Sequence, residues 1–163
     1  MCGILVLIRR RKFKSARGLG DVTGHDSMTI QRDSQQCEHA ANTLKHRGPD
    51  SFNMHVGMES PECFVMCHQR LSIVDVAGGS QPFVCMQESA SANRTDHPTN
   101  MYTVANGEIY NHRVIREYIK YPYKTGSDCE VIIALSREYF TGQKTAQHAI
   151  DLLDGIFAFV TCY

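Results

Sequence analysis

The sequence has 163 residues, of which 17 are Lys or Arg and 17 are Asp or Glu, and it contains no Trp. At roughly 100–200 residues per domain, this length corresponds to one domain, or to one domain plus a fragment. A hydrophobic content of 42% and a charged content of 21% are typical of a globular protein and exclude wholesale disorder. The formal net charge of zero argues against a general binder of nucleic acid or of an acidic membrane surface.

The distribution of cysteines and apolar residues predicts a cytoplasmic protein. Seven cysteines without a Cys-x-x-Cys pair make a poor disulfide framework and indicate reduced thiols. The apolar residues 3–8 precede the basic residues 9–12, which is the reverse of the order in a secretory signal. No apolar run approaches the roughly 18–20 residues that a membrane-spanning helix needs.

The N-terminal half of the chain predicts strands separated by polar segments. A strand buried on both faces is expected over residues 4–8, followed by a long polar loop or insertion over about 12–36. A short helix over 37–45 ends at the Gly48-Pro49 pair. The elements expected beyond it are strands over 52–57 and 64–68 joined by a turn at Ser60-Pro61, an extended segment over 71–76, a loop over 77–80, and a second polar insertion over 87–100.

The C-terminal half predicts an alternation of strands and helices. The expected elements are a strand over 101–105 that ends at Asn106-Gly107, helices over 114–119 and 146–153, and a final strand over 155–163. Ser127 and Glu130 have the spacing of a capping box, and helical periodicity continues after them as far as Tyr139. Because the strands form antiparallel-like groups with helices between them, we expect an α+β fold.

Cys2 is the residue that first indicates a chemistry. Removal of Met1 would make Cys2 the N-terminal residue, with a thiol and a free amine a few ångströms apart. An α-amine has an unperturbed pKa of about 7.7–8.0, so part of it is a neutral base at pH 7 that can accept the thiol proton. The thiolate is the attacking species. On its own, a cysteine at position 2 is better interpreted as an ordinary residue.

Four further segments change that interpretation. They are His46-Arg47-Gly48-Pro49-Asp50, Arg70-Leu71-Ser72-Ile73-Val74-Asp75, Asn106-Gly107-Glu108-Ile109-Tyr110-Asn111-His112 and Thr125-Gly126-Ser127-Asp128-Cys129-Glu130. In this order, and after the opening MCGI, the chain resembles the N-terminal glutaminase domain of asparagine synthetases. That domain is a class II glutamine amidotransferase with the N-terminal-nucleophile hydrolase fold. The resemblance covers most of the chain and is interrupted by the two polar insertions.

The resemblance implies a catalytic centre and a fold. Cys2 would attack the side-chain amide of L-glutamine, while the Asn106 side-chain NH2 and the Gly107 N–H would form the oxyanion hole. The steps would be acyl transfer to Cys2, release of ammonia and hydrolysis of the thioester. The implied fold is a four-layer αββα sandwich.

The resemblance also implies a substrate pocket that holds both ends of a free amino acid. Arg70 would bind the α-carboxylate through its planar guanidinium group. Asp128 would pair with the α-ammonium group, which Glu108 would help to hold. Ile73 and Val74 would complete the substrate-binding residues.

Taken singly, the matching residues have simpler interpretations. Arg70 could be a surface arginine, and Asp128 could cap its helix beside Ser127. Asn106-Gly107 could be a hairpin turn, for which this dipeptide is a common signal. The occurrence of all these residues in this order, each with its flanking residues, argues against a chance combination.

We predict no metal site. Cys63, Cys67 and His68 lie close together, but structural zinc prefers two short-spaced ligand pairs, and only one loose pair is present. His46 and His68 are expected to be structural histidines with satisfied hydrogen bonds, because the terminal amine already supplies a base.

The expected domain is a glutaminase domain over residues 2–163, incomplete at its C-terminal end. The ATP-dependent synthetase domain that receives the ammonia is expected to be absent from this chain, and ATP and magnesium would belong to that domain. The glutaminase domain itself would need no cofactor. Two alternatives stay open: a stand-alone glutaminase or other amide hydrolase, and a non-catalytic domain that keeps the fold and binds another chain.

Overall fold

The computed structural model describes residues 2–10, 27–58, 62–86, 100–140, 142 and 145–163. The elements of these residues are, in chain order, β1 (Gly3–Arg10), α1 (Ser27–Asn42), a 3-10 helix (Lys45–Arg47), β2 (Ser51–Gly57), β3 (Glu62–Arg70), β4 (Phe83–Cys85), β5 (Met101–Ile109), α2 (His112–Tyr118), α3 (Glu130–Phe140), α4 (Ala146–Asp151) and β6 (Gly155–Cys162). Within this part of the chain the strands form two antiparallel sheets, with the orders β1-β3-β2 and β4-β5-β6. This mixture of helices and antiparallel sheets confirms the predicted α+β class. Among the described helices, none has both the length and the apolar character to cross a bilayer.

A shared apolar core lies between the two sheets. Side chains of successive strand residues point to opposite faces, so every second residue of β3 faces the same layer. The core joins Phe64 and Met66 of β3 to Tyr102 and Val104 of β5 and Cys162 of β6, with Ile4, Val6, Val84 and Val160 packed against it. One face of each sheet is therefore buried against the other sheet.

The helices pack on the remaining sheet faces. Helix α1 covers the first sheet through a cluster of Cys37, Ala41, Val65 and Cys67, which is completed by Leu5, Leu7, Phe52 and Val56. Helix α3 is the centre of the largest core, which it shares with β4, β5, α2 and α4. The predicted strand over 4–8 thus packs apolar side chains on both of its faces as far as Leu7, whereas Ile8 is exposed.

Helix α1 corrects the first predicted insertion. Residues 27–36 are helical, so the predicted loop over 12–36 is wrong for them, and the helix predicted over 37–45 is the end of a longer one. The buried positions of α1 recur at Asp33, Cys37 and Ala41, and an aspartate in this series hides the helical pattern. Asp33 Oδ1 accepts a hydrogen bond from Arg9 Nη2 at 2.7 Å, and an ion pair joins Oδ2 to Arg9 Nε at 2.6 Å, which ties α1 to β1.

Strand β5 is longer than the sequence predicts. The strand expected to end at Asn106-Gly107 continues to Ile109, because β6 pairs with its whole C-terminal half. Gly107 has a φ of 151°, and a Cβ atom there would lie 2.1 Å from the Ile156 carbonyl oxygen. The close approach of β6 therefore requires glycine at this position.

Two other local predictions are wrong. Residues 71–73 belong to no strand and residues 74–78 form bends, so the extended segment predicted over 71–76 is wrong from residue 74 onward, and Asp75 has a φ of 54°. The capping box is absent, because the Glu130 carboxylate accepts the backbone N–H groups of Lys124 and Thr125 instead of returning to Ser127. The remaining predicted strands and helices are confirmed with small shifts at their ends. The turn at Ser60-Pro61 and the insertion over residues 87–99 lie outside the described residues, as do residues 12–26.

The core between the sheets predicts that alanine substitutions of two methionines lower the free energy of unfolding by different amounts. Met66 is 0% exposed and Met54, on the neighbouring strand β2, is 37% exposed. We expect Met66→Ala to lower the free energy of unfolding by about 2–5 kcal/mol, because it leaves a cavity between the sheets. The control Met54→Ala should lower it by less than about 1 kcal/mol. Urea denaturation of both variants measures the difference, and equal losses would contradict the core described here.

Candidate active site

A cavity of about 190 Å³ lies where the N-terminal end of β1 meets the C-terminal ends of β3 and β5. Two irregular segments complete its wall: the β3 loop (residues 71–79) and the pre-α3 segment (residues 124–129). Of the eight residues predicted for the site, seven line this cavity, namely Cys2, Arg70, Ile73, Val74, Gly107, Glu108 and Asp128. The fold thus brings together residues that are far apart in the sequence.

Cys2 is held at the cavity by two backbone contacts. Its Sγ accepts a hydrogen bond from the Leu71 N–H at 3.3 Å, and its carbonyl oxygen accepts one from the Arg47 Nε–H at 3.3 Å. The antiparallel register sets Gly3 opposite Gln69, so the residue before β1 lies beside the residue that ends β3. Two of the sequence motifs therefore meet at the thiol.

Arg70 is buried, with 7% of its surface exposed, and its guanidinium group is fixed by the β3 loop. The two terminal nitrogens donate hydrogen bonds to the carbonyl oxygens of Asp75 and Val76. Gly79 packs closely against this group, since a Cβ atom at Gly79 would lie 2.9 Å from Nη2. A surface arginine, the simpler interpretation from sequence, is excluded by this burial.

Asp128 is the second buried charged residue of the cavity, with 6% of its surface exposed. Its Oδ2 accepts the Ile109 N–H at 2.8 Å, which ties the pre-α3 segment to the end of β5. Glu108 differs, because it is exposed at the edge of the cavity. The cavity therefore presents one buried cationic and one buried anionic side chain.

Asn106 is the predicted residue that does not line the cavity. It lies in β5 between Ala105 and Gly107, both of which do line it. The Asn106 Oδ1 atom is buried and has no hydrogen-bond partner among the described residues. Its place in the oxyanion hole stays a prediction.

His68 lines the cavity, although the sequence predicted only a structural histidine with satisfied hydrogen bonds. It is fully buried, and within the described part of the chain neither ring nitrogen reaches full hydrogen-bond geometry, although the Ala105 backbone lies near the ring. Burial lowers the pKa of His68 to about 4, so the ring is neutral at pH 7. Strand alternation could have predicted this position, because His68 lies two residues before Arg70 on β3 and therefore on the same face.

Two carboxylates that shape the wall were not predicted as site residues. Glu130 is buried and accepts the N–H groups of Lys124 and Thr125, the Thr125 hydroxyl and the Arg116 guanidinium. Asp75 accepts N–H groups from both irregular segments. Both residues lie inside the sequence motifs, but the bonding partners of Asp75 depend on the fold.

The cysteines and histidines of the described residues do not gather into a cluster of three or more metal ligands. None of the seven cysteines, all of which are described, forms a disulfide bond. Burial and the neighbouring Asp128 carboxylate raise the pKa of the Cys129 thiol, and burial raises the pKa of Cys67 to about 12. These two thiols are therefore protonated and unreactive at pH 7.

A thiol, a buried guanidinium group and a buried carboxylate around one small cavity form the arrangement expected of a cysteine enzyme that acts on a free amino acid. Sequence comparison agrees with this class. The glutamine amidotransferase domain family matches residues 19–162, which is most of the chain, and the chain belongs to that family. The matched range begins after Cys2.

Curated relatives extend the similarity to the N-terminus. Asparagine synthetase [glutamine-hydrolyzing] 1 of Lotus japonicus is 34% identical over 161 residues, which are 98% of this chain and 21% of that protein. Asparagine synthetase [glutamine-hydrolyzing] 2 of Arabidopsis thaliana is 41% identical over 118 residues, 72% of this chain and 17% of that protein. A probable asparagine synthetase of Schizosaccharomyces pombe is 38% identical over 138 residues, 83% of this chain and 21% of that protein. The chain spans about a fifth of the length of these relatives.

The thiol environments predict which cysteine reacts first. We expect an electrophilic glutamine analogue such as a diazo-ketone to label Cys2, because Cys129 and Cys67 hold little thiolate at pH 7. Peptide mass spectrometry of the chain and of a Cys2→Ala variant measures the site of labelling. Label on Cys129, which lines the same cavity, would contradict the assignment of the nucleophile.

Proposed function

We propose that this chain hydrolyses the side-chain amide of L-glutamine through a thioester on Cys2 and releases ammonia. The observation that carries the proposal is the single cavity lined by Cys2, Arg70 and Asp128. Membership in the glutamine amidotransferase domain family supports the same reaction.

The two buried charges account for binding of a free amino acid. The Arg70 guanidinium binds the α-carboxylate, which matches its planar fork, and the Asp128 carboxylate binds the α-ammonium group. Glu108 at the edge of the cavity adds negative charge near the ammonium group, and Ile73 and Val74 contact the aliphatic part of the substrate. A pocket of about 190 Å³ that binds both charged ends favours a free amino acid over a peptide.

The reaction begins with Cys2 as the N-terminal residue, after removal of Met1. The free amine accepts the thiol proton, and the thiolate attacks the amide carbon of the substrate. The Gly107 N–H and the Asn106 side-chain NH2 donate to the oxyanion of the tetrahedral intermediate, which requires the Asn106 side chain to turn towards the cavity. The carbon–nitrogen bond then breaks as the leaving nitrogen takes up a proton. Water finally hydrolyses the thioester to glutamate and restores the thiol.

The ammonia is the product that a partner consumes. The names of the curated relatives describe asparagine synthesis coupled to glutamine hydrolysis, and the matched range is about a fifth of each relative. We propose that an ATP-dependent synthetase domain or subunit receives the ammonia, and that ATP and magnesium bind to that partner rather than to the glutaminase domain. The proposed domain covers residues 2–163 and acts in the cytoplasm.

We also propose the four-layer αββα arrangement for this domain. Support comes from the order of its three apolar clusters: one joins α1 to the first sheet, one joins the two sheets, and one joins α3 to the second sheet. In that arrangement the cavity lies at one end of the central, sheet-to-sheet layer.

The roles predict two different kinetic patterns. Arg70→Ala and Asp128→Asn should mainly raise KM for glutamine, because charge-assisted contacts of this kind contribute about 1.5–3 kcal/mol each. That range corresponds to a loss of about one to two powers of ten in kcat/KM. Asn106→Ala should lower kcat more than it raises KM, because an oxyanion donor acts chiefly in the transition state.

Ammonia release at varied glutamine concentration measures all three variants, with Cys2→Ala as the inactive control. Circular dichroism must show that each variant is folded, since Asp128 also accepts the Ile109 N–H. A rise in KM alone for Asn106→Ala, or a fall in kcat alone for Arg70→Ala, would reverse the roles. No ammonia release by the unmodified chain would exclude the proposed function and favour a non-catalytic domain.

A further inference from the structure

The two irregular walls of the cavity are joined by one carboxylate. The β3 loop contributes Ile73, Val74 and Gly79 to the lining, and the pre-α3 segment contributes Ser127 and Asp128. The Asp75 side chain lies between these walls. Its Oδ1 accepts the Gly78 N–H at 2.9 Å within its own loop, and its Oδ2 accepts the Gly126 N–H at 2.7 Å across the gap.

The backbone of the same residue holds Arg70. The carbonyl oxygens of Asp75 and Val76 accept hydrogen bonds from the Arg70 guanidinium. The Asp75 side chain bonds to Gly126, which is two residues before Asp128. Asp75 therefore contacts Arg70 directly through its backbone carbonyl group, and it is linked to Asp128 through Gly126.

The surroundings of Asp75 favour an ionised carboxylate in this one position. Hydrogen bonds from the N–H groups of Gly126 and Gly78 lower the pKa of Asp75, and the positive charges of Arg70 and Arg116 act in the same direction. A Cβ atom at Gly78 would lie 2.3 Å from Oδ2, so a side chain at residue 78 would displace the Asp75 carboxylate.

The pre-α3 segment is also held from its other side. The buried Glu130 carboxylate accepts the N–H groups of Lys124 and Thr125 at 2.7 and 2.9 Å. The segment that carries Asp128 thus lies between two carboxylates, one from α3 and one from the β3 loop. Glu130 anchors the segment to helix α3, while Asp75 anchors it to the β3 loop, which also binds the Arg70 guanidinium.

We propose that Asp75 is a positioning residue that sets the distance between Arg70 and Asp128 and so selects substrates with both an α-carboxylate and an α-ammonium group. The inference rests on the proposed function, because it assigns the two charges to the two ends of glutamine. Asp75 does not contact the substrate; it acts through the two residues that do. Loss of its charge loosens the binding of the α-groups and leaves the thiol chemistry in place.

The test uses the Asp75→Asn variant, in which an amide NH2 replaces one of the two accepting oxygens. We expect KM for glutamine to rise about tenfold while kcat changes by less than about threefold, because one charge-assisted hydrogen bond between the walls is lost. The matched control is Asp151→Asn, an exposed aspartate of α4, which should leave both constants unchanged. The alkylation rate of Cys2 by iodoacetamide, which has no α-groups, should be the same in both variants and in the unmodified chain.

A double-mutant cycle with Asp128→Asn separates positioning from a general loss of structure. If Asp75 acts through Asp128, the rise in KM of the double variant is smaller than the product of the two single rises. Circular dichroism checks folding, and if Asp75→Asn does not fold, Asp75→Ser takes its place in the same comparison.

The outcomes distinguish the inference from the function on which it rests. Normal glutamine hydrolysis by the unmodified chain with an unchanged KM in the Asp75 variant overturns the inference and leaves the proposed function intact. Equal falls in kcat and in the alkylation rate also overturn it, because they indicate damage at Cys2. Absence of hydrolysis by the unmodified chain overturns the proposed function, and the inference with it.

Discussion

The antiparallel register of β1 on β3 is the constraint on which the site depends. Gly3 pairs with Gln69, which puts the Cys2 thiol within 3.3 Å of the Leu71 N–H, one residue beyond Arg70. A slip of one residue would turn every side chain of β1 to the opposite face. Ile4 and Val6 would then leave the core between the sheets, and the thiol would leave the cavity. The hydrophobic core and the position of the Cys2 thiol are thus fixed by the same pairing.

The inner face of strand β3 is apolar in its N-terminal part and polar where it reaches the cavity. Phe64 and Met66 lie in the core between the sheets, and the next residues on that face, His68 and Arg70, line the cavity. A strand has one periodicity, so polar residues can follow apolar ones on one face without a change of structure. The cavity is therefore a continuation of the core, in which buried polar groups replace apolar side chains. This burial explains why Arg70 needs backbone carbonyl groups as partners, since an unpaired buried charge is strongly unfavourable.

The sequence predicted the elements whose signals are local. The strands over 52–57, 64–68 and 155–163 alternate or run as short apolar segments, and the structure has strands there. Helix α1 was predicted in part, because Asp33 on its buried face interrupts the apolar pattern and finds its partner, Arg9, on another element. The end of β5 was placed too early for a similar reason: β6 pairs with it from about 50 residues away, and no local signal at Asn106-Gly107 reports that pairing.

The order of the motifs predicted residues that meet at one cavity, but it did not predict the contacts that support the cavity wall. Seven of the eight proposed residues surround one cavity, although periodicity alone gives none of them a role. The bond between Asp75 and the Gly126 N–H spans 51 residues, and the buried state of His68 depends on the packing of two sheets. Such contacts follow from the tertiary fold. The departure of Asn106 from the cavity wall has the same origin, because the strand continues through it.

In the proposed mechanism the free amine of Cys2 is the base for its own thiol. The measurement is glutamine hydrolysis by a single preparation that carries a removable N-terminal extension, assayed before and after cleavage that leaves Cys2 first. An amide nitrogen is not a base, so activity should rise about 100-fold or more on cleavage, the usual contribution of a general base, while circular dichroism stays unchanged. Equal rates before and after cleavage would contradict the claim.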